Sequence, residues 1–299
     1  IVPLLFFAFK FFNLFNLGLA CLYGAVLMGS HGTTWFHRYA THKSFKFRNS
    51  FWRSFTRNLV VPIFPEEVYV VSHHVHHYYS DVPRDPYNAT FGFLYCFLAD
   101  ANHQPINRNM SRDDYSRVTK FVDHVGHEPH TYEEYLLWGT IISPLDWWTH
   151  LISMWVFWYA AFFTLGGHSL ATALFAGAGV WSFGIRLFNY GGHADGKILH
   201  VDGEDFCRDN LAINQRWPGC VAGEWHNNHH LYPKGARSGF LPHQIDLPWC
   251  YIWTMHQLGA VSSYRDFKEE FLKKHYIPYT QGVKPVPYQP PTFVKQCEN

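Results

Sequence analysis

The 299-residue sequence contains no C-x-x-C pair, no G-x-G-x-x-G and no H-E-x-x-H. The first absence removes iron–sulfur and rubredoxin-type electron carriers, the second a dinucleotide fingerprint, the third zinc-protease chemistry. Charge of one sign is also missing. Lys plus Arg number 24 against 23 Asp plus Glu, a net +1 that argues against a nucleic-acid partner. The six cysteines, Cys21, Cys96, Cys207, Cys220, Cys250 and Cys297, show no disulfide framework and read as reduced, buried thiols. No A-x-A type cleavage site follows the opening apolar run, which argues against a signal peptide. That run, 1–9, is too short to cross a bilayer and reads as the end of a helix whose start lies outside the sequence given.

Aromatics are plentiful, with 27 Phe, 18 Tyr and 12 Trp. The mean hydropathy of −0.17 averages over strongly segregated stretches. Apolar spans are expected near 14–36, 147–165 and 170–187, the last two joined by Gly166 and Gly167 as a hairpin. Trp147, Trp148 and Trp158 are expected at the lipid or its interface. Arg186 interrupts the third span and should lie near the interface or face a polar cavity. Residues 51–71, broken by Pro62 and Pro65, read as helix pieces at the membrane surface or under a cap, and 91–98 as a short buried or interfacial segment. Helical patterns recur near 210–232 and 248–275, and 283–291 reads as an extended Pro-rich tail. Residues 103–135 carry no readable motif. One domain over 1–299 is expected, all-α, with a cap from 37–135 and 190–280.

The 21 histidines need a chemical reason. Three clusters stand out: His37–His42 in HRYATH, His73–His77 in HHVHH and His226–His230 in HNNHH, with His193 just after the last span. Helical neighbours three and four apart share a face, so His73, His76 and His77 point together, as do His226, His229 and His230. His37 and His42 lie about 140° apart on a regular helix and converge only if it ends between them. One ion takes four to six ligands, so nine imidazoles point to two ions. Imidazole suits Fe, Zn, Cu and Ni, and the absence of cysteine from the clusters argues against structural zinc. The scattered His103, His124, His127, His130, His150, His168, His243, His256 and His275 read as surface or packing residues. His31 and His200 read as packing residues or supports behind the metal ligands.

The three boxes in this order, with a hairpin between the second and third, resemble the membrane fatty acid desaturase superfamily over about residues 14–275. Arg38, Asp85-Pro86-Tyr87-Asn88-Ala89 and Asn189…His193 resemble its Δ9 acyl-CoA and acyl-lipid branch. The resemblance implies an integral-membrane helical stem of about four spans, the first shortened here, under a cytosolic cap holding two irons. It implies His37, His42, His73, His77 and His229 on one iron. It implies His76, His193, His226 and His230 on the other, with Asn189 reaching it through water. The chain departs from the family at Glu224-Trp225-His226, where one residue rather than two separates acid from histidine, and at Ser72 and His74 beside the second box.

Breaking an unactivated C–H bond needs an oxidant that side chains cannot supply, so two irons and dioxygen are expected, with an acyl substrate in an apolar tunnel. Trp35, Trp148, Trp181 and Tyr190 are tunnel candidates, though packing or lipid contact is the plainer role for each. Asp81, Asp85, Glu224 and Asp246 are candidates to orient ligand histidines. With no electron carrier in the chain, a separate donor of ferredoxin or cytochrome type is expected. Desaturation is the leading reaction. Hydroxylation, or oxidative decarboxylation to a terminal alkene, would need only a shifted substrate. A membrane metal transporter or sensor would place its ligands within the spans, and these fall at span ends.

Overall fold

The computed structural model describes residues 2–211 and 222–288. The fold is mostly helical. Among the described residues two helices are long and apolar enough to cross a membrane, Leu14–Thr41 and Pro144–Gly196.

The first begins where the Asn13 side chain accepts the Asn16 N–H at 2.9 Å, supplying one of the bonds a helix start lacks. It is α-helical over Leu14–Val26 and then π-wound over Leu27–Thr41. In that winding each N–H reaches back five residues, as His42 does to the His37 carbonyl at 3.1 Å. The expectation that this helix must stop between His37 and His42 is therefore wrong. Residues five apart lie nearly above one another on the wider helix, and the two rings come within 4.9 Å.

The Pro144–Gly191 helix folds back on itself. Gly166 and Gly167 leave helical geometry, Gly167 with φ of +64°, which a glycine adopts without strain. Trp155 and Phe175 would be about 30 Å apart on a straight helix, yet their rings meet at 6.2 Å. This is the expected hairpin, its arms running 144–165 and 168–191. The returning arm packs on the first long helix at a point without side-chain padding. A Cβ on Gly24 would sit 2.9 Å from the Gly177 carbonyl oxygen, and one on Gly177 would sit 2.8 Å from that of Ala20. Such small-residue contacts let helix backbones approach closely.

Between the long helices, Ser50–Arg57 and Glu66–Tyr79 are joined by an irregular segment, 58–65, held against the outgoing hairpin arm. Trp158 Nε1 donates to the Asn58 carbonyl at 3.2 Å and Trp155 Nε1 to that of Pro62 at 2.8 Å. Trp158 is thus an internal donor, Trp147 is buried, and of the three expected lipid-facing indoles Trp148 is the exposed one. Residues 91–98 hold the five-residue helix Phe93–Phe97, which packs on the returning arm through Phe97 and Phe183 at 5.0 Å. Arg186 donates to the Phe97 carbonyl at 2.8 Å. Residues 103–135 form two helices, Arg112–Val122 and Tyr132–Trp138. Ser111 caps the first and the Thr131–Glu134 capping box starts the second, so capping was the readable signal there.

The expectation of an all-α chain needs one correction. Phe45–Phe47 pairs antiparallel with Val261–Tyr264, joining the end of the first long helix to the far end of the cap. The expected helix over 210–232 is His226–Leu231, with 212–221 outside the described residues. The pattern over 248–275 resolves into Leu247–Gln257, the second strand and short helical turns. Residues 283–288 of the tail have no regular structure, and 289–291 lie outside the described residues. Among the described residues Cys21, Cys96, Cys207 and Cys250 are free thiols. Cys96 and Cys207 are buried as expected; Cys21 and Cys250 are exposed.

Two measurements test this packing. Gly177→Leu should lower the melting temperature of the detergent-solubilised protein, an overpacking cost of about 1–3 kcal/mol. Gly179→Ala, whose Cβ would meet only Leu4 at 3.6 Å, should leave it unchanged. The second concerns Glu67, whose Oε2 accepts the N–H groups of Ile141 and Ile142 at 2.8 Å each. Burial pushes this carboxyl up to about 7 against a usual 4.5. Its contribution to stability is complete below the unfolded value and is lost as pH rises through 7. Glu67→Gln keeps the accepting oxygen and cannot ionise. Its stability relative to wild type should therefore improve between pH 5 and pH 8, by up to about 3 kcal/mol; a pH-independent difference would refute the assignment.

Candidate metal centre

Four chain segments bring the histidines together. His37 and His42 stand at the π-wound end of the first helix, and His73, His76 and His77 on one face of Glu66–Tyr79. His193 follows the hairpin. His226, His229 and His230 ride on His226–Leu231, six residues long and too short to be stable alone. Two buried asparagines of the third box pin it. The Asn227 amide exchanges two 2.9 Å bonds with the Cys207 backbone, and Asn228 donates to the Ser238 carbonyl at 2.7 Å.

All nine imidazoles converge, in two groups. His37, His42, His73, His77 and His229 form one, and His76, His193, His226 and His230 the other, with candidate ligand atoms within 4.8 Å of one another inside each group. In the first, Nε2–Nε2 separations are 3.0 Å for His37–His229 and His73–His37, 3.1 Å for His77–His73 and 2.9 Å for His229–His77. In the second they are 2.9 Å for His226–His193 and 3.1 Å for His230–His226. Metal–nitrogen bonds of about 2.1 Å at right angles put neighbouring nitrogens about 3 Å apart. His42 Nε2 is buried without a hydrogen-bond partner. Both observations fit a pair of metal ions.

Carboxylates hold the far side of the rings. Asp85 Oδ1 lies 2.8 Å from His76 Nδ1 and is itself fixed by the Tyr87 N–H at 2.8 Å. Asp81 Oδ1 lies 3.1 Å from His193 Nδ1, and its Oδ2 accepts the Leu211 N–H at 2.6 Å. Glu224 is shared: Oε1 lies 3.1 Å from His226 Nδ1, and Oε2 pairs with His37 Nδ1. It joins the two groups despite the shortened spacing before the third box. A proton held on Nδ1 by a carboxylate leaves the Nε2 lone pair facing the centre. Asn210, which sequence reasoning missed, sets its amide 3.0 Å from His230 Nδ1.

Asp246, the fourth expected orienting acid, is placed differently. It pairs with Arg38 at 2.8 Å and accepts from the Ser238 and Gly239 backbones and the Trp249 N–H. Arg38 also donates to the Ala236 carbonyl at 2.6 Å. The pair latches the first helix to the loop behind the third box. His31 bonds the Thr56 carbonyl, and His200 bonds the Asn210 carbonyl behind His230. His74 leaves its cluster to stack on Phe121 at 4.1 Å.

Burial followed by the neighbouring imidazoles keeps His73, His229 and His230 well below the usual histidine range. Burial lowers His226 to about 4, although Glu224 opposes it. These rings are neutral near pH 7 and have lone pairs to offer. Burial alone would raise Glu224, but His37 and His226 against it hold the carboxyl well below its ordinary range.

A cavity of about 320 Å³ opens onto both groups, touching His37, His73, His76, His193 and His226. Asn189 lines it too, and the remaining wall combines Ile63, Phe64, Val68, Trp181 and Ile185 with the polar Thr33, Ser72, Ser182 and Arg186, so Arg186 does face a partly polar cavity. Of the tunnel candidates, Trp181 lines the cavity. Trp35 is buried beside Glu66, Trp148 is exposed, and Tyr190 packs on Phe93.

Comparison with known proteins agrees with this geometry. The family profile described as fatty acid desaturase matches residues 13–281. Delta-9 desaturase-like 2 protein of Arabidopsis thaliana is 26% identical over 238 residues, 76% of this chain and 70% of its own length. An sn-1 stearoyl-lipid 9-desaturase of Anabaena variabilis is 24% identical over 82% of each chain. A hex-5-enoyl-[acyl-carrier protein] acetylenase of Moorena producens is 28% identical, over 75% of this chain and 69% of its own. With the profile covering nearly the whole described length, this chain belongs to the fatty acid desaturase family and is an oxidoreductase acting on fatty acyl chains.

Proposed function

We propose that the enzyme introduces a double bond into a fatty acyl chain at a centre of two iron ions. His37, His42, His73, His77 and His229 would hold one ion, and His76, His193, His226 and His230 the other, with Asn189 contributing through water. The observation that carries the reading is the convergence of these nine imidazoles in two sets, with members of both sets on the wall of one cavity. Iron bound there supplies the oxidising power to take hydrogen from unactivated methylenes, with dioxygen as co-substrate and electrons from a separate ferredoxin- or cytochrome-type donor.

The chain's own residues do the positioning. The apolar walls, from Ile63 and Val68 to Ile185, hold an acyl chain and exclude water so that chosen carbons face the histidines. Asp81, Asp85 and Glu224 retain the Nδ1 protons of His193, His76, His226 and His37, which fixes the tautomer and aim of these four rings. The hairpin, the first long helix and the shorter Val2–Phe11 helix would form the membrane stem, with the histidines in a cap on the cytosolic side.

Metal analysis of the purified chain should find two irons. His230→Ala should lose one of them and all turnover. Asp85→Asn should weaken metal retention about 10–100-fold at unchanged ligand count. Full activity after complete iron removal would overturn the reading. Mass spectrometry after supplying saturated C8–C18 acids with reductant and dioxygen should show products two hydrogens lighter. A hydrocarbon one carbon shorter, or an added oxygen, would assign decarboxylation or hydroxylation to the same site. Metal movement without oxygen consumption would assign a transporter.

A further inference from the structure

Arg186, a cation inside an apolar span, and Ser72, beside the second box, take no part in holding the metal centre, yet both line the cavity. The returning arm presents Ser182, Arg186, Asn189 and His193 to it, at spacings of four, three and four residues that keep them on one face. Helical rise sets Arg186 about 10 Å from His193, with Asn189 between them. The second-box helix presents Tyr69, Ser72, His73 and His76 to the same space. Among the described residues, the Tyr69, Ser72 and Ser182 hydroxyls and the Asn189 amide have no hydrogen-bond partner in the chain. Ser72 is only 7% exposed, so bulk solvent does not serve it. Polar atoms left unpaired against apolar walls cost free energy, and a surface meant for methylenes alone gains nothing from them. Arg186 is fixed in place at this wall: Nη1 donates to the Phe97 carbonyl at 2.8 Å, and the guanidinium lies 5.9 Å from the centre of the Phe97 ring. The acid among the lining residues, Glu224, is taken up by His37 and His226.

We propose that this polar wall is a carboxylate site, and that the substrate is an unesterified fatty acid whose head group enters the cavity and is held by Arg186, Ser182 and Ser72. This rests on the desaturase reading above. A guanidinium is the side chain best matched to a carboxylate, since its planar N–H groups meet both oxygens. Ser182, one turn away on the same face, and Ser72 on the second-box helix add hydroxyl donors. A carboxylate drawn in among Ile63, Phe64, Val68 and Trp181 needs such a set, because an unpaired charge there is prohibitively costly. A thioester or ester brings no charge to the guanidinium and carries a bulky group at the very end that the site would enclose. The wall therefore selects the acid over its coenzyme A, carrier-protein and glyceride forms. The carbons that are oxidised are then counted from a head group held in the same cavity as the histidines.

The test uses the full, iron-loaded chain in nanodiscs with four probes: dodecanoate, methyl dodecanoate, dodecanol and dodecanoyl-coenzyme A. Anaerobic binding is measured by calorimetry and corrected for partition into empty nanodiscs. Turnover is measured with an NADPH, ferredoxin reductase and ferredoxin couple. Wild type should bind dodecanoate about 10–100-fold more tightly than the methyl ester or the alcohol, the worth of a hydrogen bond to a charged group. Arg186→Leu should abolish that preference and raise KM for the acid by a similar factor, with affinity for the methyl ester unchanged. Arg186→Lys, which keeps the charge but not the paired donors, should restore part of it. Ser182→Ala and Ser72→Ala should each weaken dodecanoate about 2–10-fold. If the Arg186 variants do not fold, the wild-type order of the four probes and the two serine variants decide. Equal binding of acid and methyl ester, or a wild type that prefers the coenzyme A thioester, overturns the carboxylate site while leaving the desaturase reading intact. So does an Arg186→Leu protein that loses acid and ester alike, which would make Arg186 a purely structural residue. A wild type that neither binds nor oxidises any of the four removes that reading and the site with it.

Discussion

Rings whose nitrogens stand about 3 Å apart cannot share positive charge. Each added proton would repel several neighbours in a buried, low-dielectric space. The arrangement therefore depends on holding each imidazole at a fixed aim and in the right tautomer, and much of the surrounding structure serves that end. Burial removes the water that would stabilise a charged ring. Glu224, Asp81 and Asp85 take up the Nδ1 hydrogens of four of the rings. Glu224 matters most because it touches both groups, so the aim of one is tied to the aim of the other.

Holding so many rings in place also demands a scaffold that does not give. Three of the four contributing segments are fastened by polar contacts away from the rings themselves. The first helix is latched by Arg38 to Asp246, the second-box helix begins at Glu67 against the start of the hairpin, and the third-box helix hangs on Asn227 and Asn228. A buried ion pair such as Arg38–Asp246 is costly to desolvate and is tolerated only with its remaining donors satisfied. Here the guanidinium finds the Ala236 carbonyl and the Ser238 hydroxyl as well.

The histidine boxes, their grouping by helical spacing and the hairpin at Gly166–Gly167 were legible, because each is a local pattern with a known period. What escaped sequence reading was non-local or turned on backbone geometry. Nothing in 27–41 announces π winding, so His37 and His42 looked badly spaced. Phe45-Lys46-Phe47 alternates like a strand, but its partner lies over two hundred residues away. Asp246 resembled the other acids until its pairing with Arg38 became visible. Asn210 carries no pattern at all and is recognised only beside His230.

The segment 58–65 has a consequence for how this chain can drift over time. Its carbonyls at Asn58 and Pro62 are satisfied by the indole hydrogens of Trp158 and Trp155. By greasiness alone, phenylalanine would replace either tryptophan freely. Yet phenylalanine brings no donor, and a carbonyl abandoned in an oily setting is expensive. Neutral substitution at these two sites is thus restricted by a single hydrogen atom each rather than by bulk or polarity.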